Sequence, residues 1–381
     1  MNDWRVPGFT STGSKRPDAL FGTPARMTRA SGCRVWDEDG REHLDFVMAL
    51  GAVALGYGHP DVNRAATAAI AAGVVGPLPP VAEEELAEAL CEQIPWLERV
   101  RFLKTGAEAV AAAVRLARVA TGRSHVLGCG YHGWLDWCSR EAGVPAAVRA
   151  LYGELPFNDP ERGRALLRAA GDRLACVVIE PVVDAAPTPE WLRVLREETR
   201  RQGAVLVFDE IKTAFRVAPG GASARWGGEP DLIVLGKALA NGFPLAAVGG
   251  RADLMRRVQD TWISSTLATE FVSLAAASAT LRVVREQQVP RRLAELGGRL
   301  YAGLEALAGR HPSRVERASG IAELCYLRYA DEEASRRVAQ GCARRGLLFK
   351  RTAYNFVSLA HDEATVDGAL GILDEALSEL P

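Results

Sequence analysis

The sequence predicts an α/β fold: a mostly parallel sheet with helices on both faces, joined to a smaller α+β domain. Three observations predict it. From about residue 100 to 250, short apolar runs alternate with helical segments, the spacing that crossover connections between parallel strands require. Two of those runs, 204–208 and 232–235, are apolar at every position, as strands covered on both faces are. Beyond residue 290 buried runs become fewer and surface charge rises, which marks a different, smaller domain. The expected organisation is an N-terminal segment, 1–54, that packs with the small domain, a large domain over 55–286, and a C-terminal small domain over 287–381.

The elements follow in chain order. Residues 32–36 and 43–47 read as two strands joined by the acidic turn Asp37-Glu38-Asp39-Gly40. Gly51 to Pro60 holds three glycines and a His-Pro, the composition of a loop in which backbone approaches a neighbour closely. Asp61 is placed to cap an alanine-rich helix that runs to about residue 72. Residues 83–94 form an amphipathic helix, with Leu86, Leu90 and Ile94 on one face. Strands are expected at 100–103, 126–129, 174–179 and 243–249, and helices at 107–120, 189–202 and 271–286. In the C-terminal part, helices are expected over 291–307, 333–344 and 363–380, with strands near 321–328 and 355–360.

Composition narrows the function classes. Of the 381 residues, 48% are hydrophobic and 24% charged, so a sizeable core can form; the formal net charge of −1 offers nothing to nucleic acid or an acidic membrane. No apolar run reaches membrane-spanning length, and the first residues lack a signal-peptide core. The seven cysteines are scattered, odd in number and form no CxxC, which argues against a zinc site or disulfide frame and fits a reducing cytoplasm.

The chemistry gathers at strand ends. Asp209 follows the run 204–208, and Lys237, after Gly236, follows 232–235. In parallel sheets, groups at the carboxyl ends of strands face one crevice. A carboxylate and an amine placed there suit pyridoxal phosphate: the amine can form a Schiff base with the aldehyde, and the carboxylate can keep the pyridine nitrogen protonated. After the strand 100–103, Thr105, Gly106 and Ala107 begin a helix whose free N–H groups make an anion site for a phosphate. After 126–129, Tyr131 between two glycines could stack on a flat ring. His132 beside it is grouped with the cofactor contacts, although a histidine at such a place is more often structural. Arginines bind carboxylates with two parallel hydrogen bonds, so Arg26, Arg216 and Arg351 are candidates for substrate contact. Trp134 could shape the same pocket.

Taken together, GCRVWDEDGREHLDF, GYGHPDV, KTGAEA, GYHGW, VVIEPV, VFDEIKTAFRV, GGEPDLIVLGKALANGFPLAAVGG, SSTLATE and FVSLAHDE resemble the class III (omega-type) aminotransferases, which are pyridoxal-phosphate enzymes of fold type I. The glutamate-1-semialdehyde aminomutase branch is the most similar, and the resemblance runs from Gly32 to the C-terminus. It implies Lys237 as the Schiff-base lysine and proton shuttle, and Asp209 as the partner of the pyridine nitrogen. It implies Ile211 and Tyr131 on the two ring faces, Thr105, Gly106 and Ala107 at the phosphate, and Glu180 near the cofactor hydroxyl. Thr266 would reach the phosphate of a neighbouring subunit, which implies a homodimer. Two departures stand out. The usual Asn-Ser-Gly-Thr is replaced by Lys104-Thr105-Gly106-Ala107, and the carboxylate expected before the C-terminal FxSxAH stretch is absent from Thr352-Ala353-Tyr354-Asn355.

The expected function is a cytoplasmic aminotransferase that takes an amino group from a small-molecule donor and gives it to a small keto or aldehyde acceptor in a ping-pong cycle. The alternatives are an aminomutase, racemase or epimerase on the same scaffold, or a cofactor-binding protein without turnover. No metal site, nucleic-acid partner or membrane partner is expected.

Overall fold

The computed structural model describes residues 4–17 and 26–380. It divides into two compact units, Met1–His59 with Arg291–Pro381, and Pro60–Pro290.

In the first unit, β1 (Met27–Ser31), β2 (Arg34–Asp37) and β3 (Glu42–Asp45) form an antiparallel meander. The β2–β3 turn is closed by Asp37, whose Oδ1 accepts from the N–H groups of Asp39 and Arg41 at 3.0 and 2.9 Å. After β3, the buried Asp45 carboxylate accepts from Val47 N (2.7 Å), Met48 N (3.2 Å) and Tyr57 Oη (2.7 Å). Those bonds hold a left-handed turn in which Met48, Ala49 and Leu50 have φ of 46, 49 and 60°. Non-glycine residues adopt such angles only where their surroundings enforce them.

The second unit begins with α1 (Pro60–Ala71) and α2 (Val81–Gln93). Then come β4 (Arg99–Leu103), α3 (Gly106–Thr121), β5 (His125–Cys129), β6 (Tyr152–Glu154) and α4 (Pro160–Ala170). They are followed by β7 (Leu174–Ile179), α5 (Pro189–Gln202), β8 (Val205–Asp209), β9 (Leu232–Leu235), β10 (Ala246–Gly250) and α6 (Phe271–Glu286). The seven strands lie in the order β4-β10-β9-β8-β7-β5-β6. From β9 to β6 each pair is parallel. The face of α3 bearing Ala109, Val110, Ala113, Val114 and Ala117 packs into one core with Val126, Val178, Val207, Val234 and Val248. Each such valine, once buried, contributes about 1.5–3 kcal/mol. The small alanines let the helix lie close to the sheet.

The chain returns to the first unit along α7 (Val289–Arg310), followed by β11 (Val315–Ile321), β12 (Leu324–Tyr329), α8 (Glu332–Arg344), β13 (Leu347–Leu348), β14 (Asn355–Phe356) and α9 (Glu363–Ser378). β13 adds to β3 in parallel, and β11, β12 and β14 make a separate antiparallel sheet.

The structure departs from the sequence expectations at several places. β10 is antiparallel to both of its neighbours, so the sheet is mixed. The connection 236–245 carries only a short 3-10 turn, and a parallel return needs a longer crossover. That strand also starts at Ala246, three residues later than expected, because the chain through Pro244 is still turning. The region near 321–328 is a hairpin of two strands, since Ala322 and Glu323 reverse the chain between β11 and β12. β14 ends at Phe356, well short of residue 360. β1 and β6 are short and were not expected, nor was α4, which buries Gly163, Leu167 and Ala170 on one face.

Candidate active site

Four consecutive strands of the large sheet, β9, β8, β7 and β5, bring Lys237, Asp209, Glu180 and Tyr131 to one edge. Asp209 is the last residue of β8 and only 3% exposed. Its Oδ2 lies 2.9 Å from His132 Nδ1, and its Oδ1 accepts from Ile211 N at 3.2 Å. His132 is buried, and its ring stacks on Trp137 with centroids 6.2 Å apart. Its Nε2 is buried without a hydrogen-bond partner. Glu180 follows β7. Its Oε2 accepts from Tyr131 N at 3.0 Å, and its Oε1 lies 3.1 Å from Lys212 Nζ.

Lys237 follows β9 and has φ of +45°, in the left-handed region where a side chain is strained. Gly236 before it is fully extended. Burial pushes the Lys237 amine below its ordinary range, against the pull of Asp209 and Glu180; Lys212 and Arg216 push it in the same direction as burial. An amine biased toward its neutral form can attack a carbonyl and accept a proton.

The start of α3 forms a cradle. Thr105 is the N-cap: its hydroxyl accepts from Glu108 N at 3.3 Å, and Glu108 Oε2 accepts from Thr105 N at 2.9 Å. Gly106 and Ala107 are in the first turn, where N–H groups have no intrahelical acceptor. A Cβ on Gly106 would come within 2.6 Å of Ile211 Cδ1, and one on Gly133 within 2.6 Å of Ala107 Cβ. The two glycines therefore leave room where Ile211, Ala107 and the Tyr131 loop converge. Lys104 does not add a free cation: its Nζ pairs with Glu270 Oε1 at 2.6 Å and donates to Pro244 O at 3.1 Å. These features fit a flat, phosphorylated pyridine aldehyde. A helix N-terminus can take the phosphate, and Asp209, held by His132 Nδ1 and Ile211 N, can face a ring N–H.

The other expected residues are more dispersed. Tyr131 and Trp134 are 70% and 75% exposed, and Thr266 is exposed in the turn before α6. Arg216 is fully buried behind β8. Arg26 and Arg351 belong to the other unit. Arg26 stacks over Phe9 at 4.1 Å and donates to Phe9 O at 3.5 Å. Arg351 donates to Ser335 Oγ at 3.3 Å and lies 3.6 Å from Glu332.

Two residues of the core motif were not singled out from sequence. Glu210 is fully buried, and its carboxylate accepts from Ala222 N and Ser223 N, each at 2.7 Å, and from Thr213 Oγ1. It anchors the loop after β8 to the short helix Gly221–Trp226. Lys212 was passed over because a lysine between Ile211 and Thr213 reads as solvated; it is buried. No local signal marks it, since its burial rests on the pairing with Glu180 of another strand.

The family model described as "Aminotransferase class-III" matches residues 19–377. A curated glutamate-1-semialdehyde 2,1-aminomutase from Rhodopirellula baltica is 33% identical over 98% of this chain and 94% of its own length. Among solved structures, the FumI protein of Sphingopyxis sp. MTA144, determined in its PLP internal aldimine form, superposes with a TM-score of 0.92 at 29% identity, over 98% of this chain and 93% of that one. An omega-transaminase from Sphaerobacter thermophilus superposes with a TM-score of 0.87 at 29% identity, over 95% and 93% of the two chains. The large sheet is therefore that of a fold-type-I enzyme, and the chain belongs to the class-III aminotransferase family, with pyridoxal phosphate as its cofactor.

Proposed function

We propose that Lys237 and Asp209 are the catalytic residues of an aminotransferase that moves an amino group from a small-molecule donor to a small keto or aldehyde acceptor. The observation that supports this reading most is the meeting of Asp209, braced by His132 and Ile211 N, with a depressed-pKa lysine at the end of the adjacent strand. Bound pyridoxal phosphate supplies an aldehyde that exchanges amines and a conjugated ring that takes up an electron pair. Lys237 Nζ would hold the cofactor and, when free of it, would serve as the base that carries a proton. Asp209 would keep the ring nitrogen protonated, so that the ring would keep its electron demand. Tyr131 and Ile211 hold the two ring faces. Thr105, Gly106 and Ala107 hold the phosphate, and Glu180 holds the hydroxyl side.

Arg26, Arg216, Arg351 and Trp134 remain the candidates for substrate contact. A homodimer is proposed on two grounds. Leu78, Val81, Trp134, Trp262 and Leu267 are exposed apolar side chains on the second unit, of the kind a partner surface covers. Phe271 N donates to Val74 O at 2.8 Å, which ties the exposed stretch 74–81 to the loop carrying Thr266. No described helix is long and apolar enough to cross a membrane. Seven free cysteines suit the cytoplasm.

The test is amine exchange followed by the absorbance of bound cofactor. A donor amine alone should convert the cofactor to its aminated form, and an added keto or aldehyde acceptor should restore it. The relation to the aminomutase supports a second reading, in which the product keeps the amine. In that case one compound would be rearranged with no acceptor consumed. No absorbance of bound cofactor in wild-type protein would remove both readings.

A further inference from the structure

Lys212 is a second buried lysine in the same corner of the fold. It leaves the chain three residues after Asp209 and pairs with Glu180 at 3.1 Å, the two side chains being 7% and 12% exposed. Glu180 is committed on its other oxygen to Tyr131 N at 3.0 Å. The β5 strand end makes room for this carboxylate only because residue 130 is glycine: a Cβ there would be 2.7 Å from Glu180 Oε2, and its φ is +101°. A chain of contacts thus runs from Lys212 through Glu180 to the Tyr131 backbone. Lys212 also bears on Lys237, since its charge opposes a proton on that amine.

The charge balance around Lys237 gives this arrangement its meaning. The charged groups acting on the Lys237 amine are Asp209 from β8, Glu180 from β7, and Lys212 and Arg216 from the loop after β8, with His132 from the β5 loop held on Asp209. Two carboxylates face two cations. Lys212, paired with Glu180 at 3.1 Å, offsets part of that carboxylate's pull on the Lys237 amine, so burial prevails there. With Lys212 removed, Glu180 would be left without this partner, and its pull on the Lys237 amine would no longer be offset.

We propose that Lys212 is a positioning residue of this active site: through Glu180 it fixes the backbone that carries Tyr131, and its charge keeps Lys237 from serving as the counter-ion of Glu180. The proposal rests on the reading of Lys237 as the cofactor-holding amine, and the experiment separates the two.

The test uses the cofactor-free full chain. Trace acylation of lysines with acetic anhydride over a range of pH, followed by peptide mass spectrometry, reads the titration of Lys237 directly. In Lys212→Met the Lys237 midpoint should rise by about one pH unit, a tenfold lower reactivity at a pH below it, and Lys212→Arg should restore it. Amide exchange of the peptide spanning 130–134 should be faster in Lys212→Met. Lys212→Gln serves in the same way if the methionine variant fails to fold, as judged by circular dichroism. An unchanged Lys237 midpoint together with unchanged exchange in the neutral variant would overturn the proposal. Separately, borohydride reduction of the loaded wild-type protein should place the cofactor on Lys237. Attachment at another lysine would overturn the reading of Lys237, whatever the titration shows.

Discussion

Asp209 Oδ2 and His132 Nδ1 meet at 2.9 Å although their strands are not neighbours, because β7 lies between β8 and β5 in the sheet. The bond passes across the end of β7, and the histidine is held in place by stacking on Trp137. The carboxylate therefore has one fixed orientation. Asp209→Asn removes the charge that holds a proton on the ring nitrogen and should lower kcat about a hundredfold or more. His132→Phe keeps the charge and loses the brace, so its loss should be smaller, about tenfold. Single-turnover rates with a donor amine check both; equal losses would mean that the histidine does more than brace.

Lys237 carries a stability cost. Its folded pKa is depressed by burial, so the fold disfavours the protonated amine and the unfolded chain does not. The cost is present below the depressed value and fades as pH rises toward 10.5, the ordinary value. In cofactor-free protein, Lys237→Met should raise Tm by about 2–4 °C at neutral pH, while abolishing turnover. Thermal melts at pH 7 and near pH 10 would show the advantage shrinking. A constant difference would deny the link to ionisation.

Asp45 titrates in the opposite sense. Burial pushes its carboxyl from 3.8 up to about 6, against the bonds from Tyr57, Val47 and Met48. Its contribution is fully present below pH ~4 and is lost as pH rises through about 6, a change of about 3 kcal/mol at most. Asp45→Asn does not titrate. Denaturation at matched pH should therefore show the variant gaining on the wild type between pH 4 and pH 7. Parallel curves would refute this.

Glu210 should matter for stability more than for rate. Glu210→Ala strands the N–H groups of Ala222 and Ser223 inside the protein, at a cost of about 2–4 kcal/mol. Glu210→Gln keeps one acceptor and should lose less. Urea unfolding followed by tryptophan fluorescence measures the difference.

Much of this was legible in the residues. The run 232–235 is β9, and the run 204–208 enters β8 from its second residue, because all-apolar stretches of that length have few other options. The Gly turn after the strand 100–103 marked the start of α3, which in the structure is closed by reciprocal capping bonds between Thr105 and Glu108. β6 is three residues long and was hidden. The hairpin at 322–323 was missed because neither Ala322 nor Glu323 is a typical turn residue. At the site, Asp209 and Lys237 could be found from where their strands stop. Lys212 could not, because its burial depends on Glu180, a residue 32 positions away in sequence and on another strand. A tertiary pairing of that kind leaves no local period.

The antiparallel course of β10 limits how this protein can change over evolution. The connection 236–245 is pinned at both ends by the ladder between β9 and β10, with Leu235 opposite Ala247. One inserted residue there would have to slip β10 by one position and turn each of its side chains to the opposite face, or push the strained Lys237 away from Asp209. Length variation among descendants of this gene should therefore gather in loops such as 135–145, and the stretch from Gly236 to Leu245 should keep a constant length even where its residues drift.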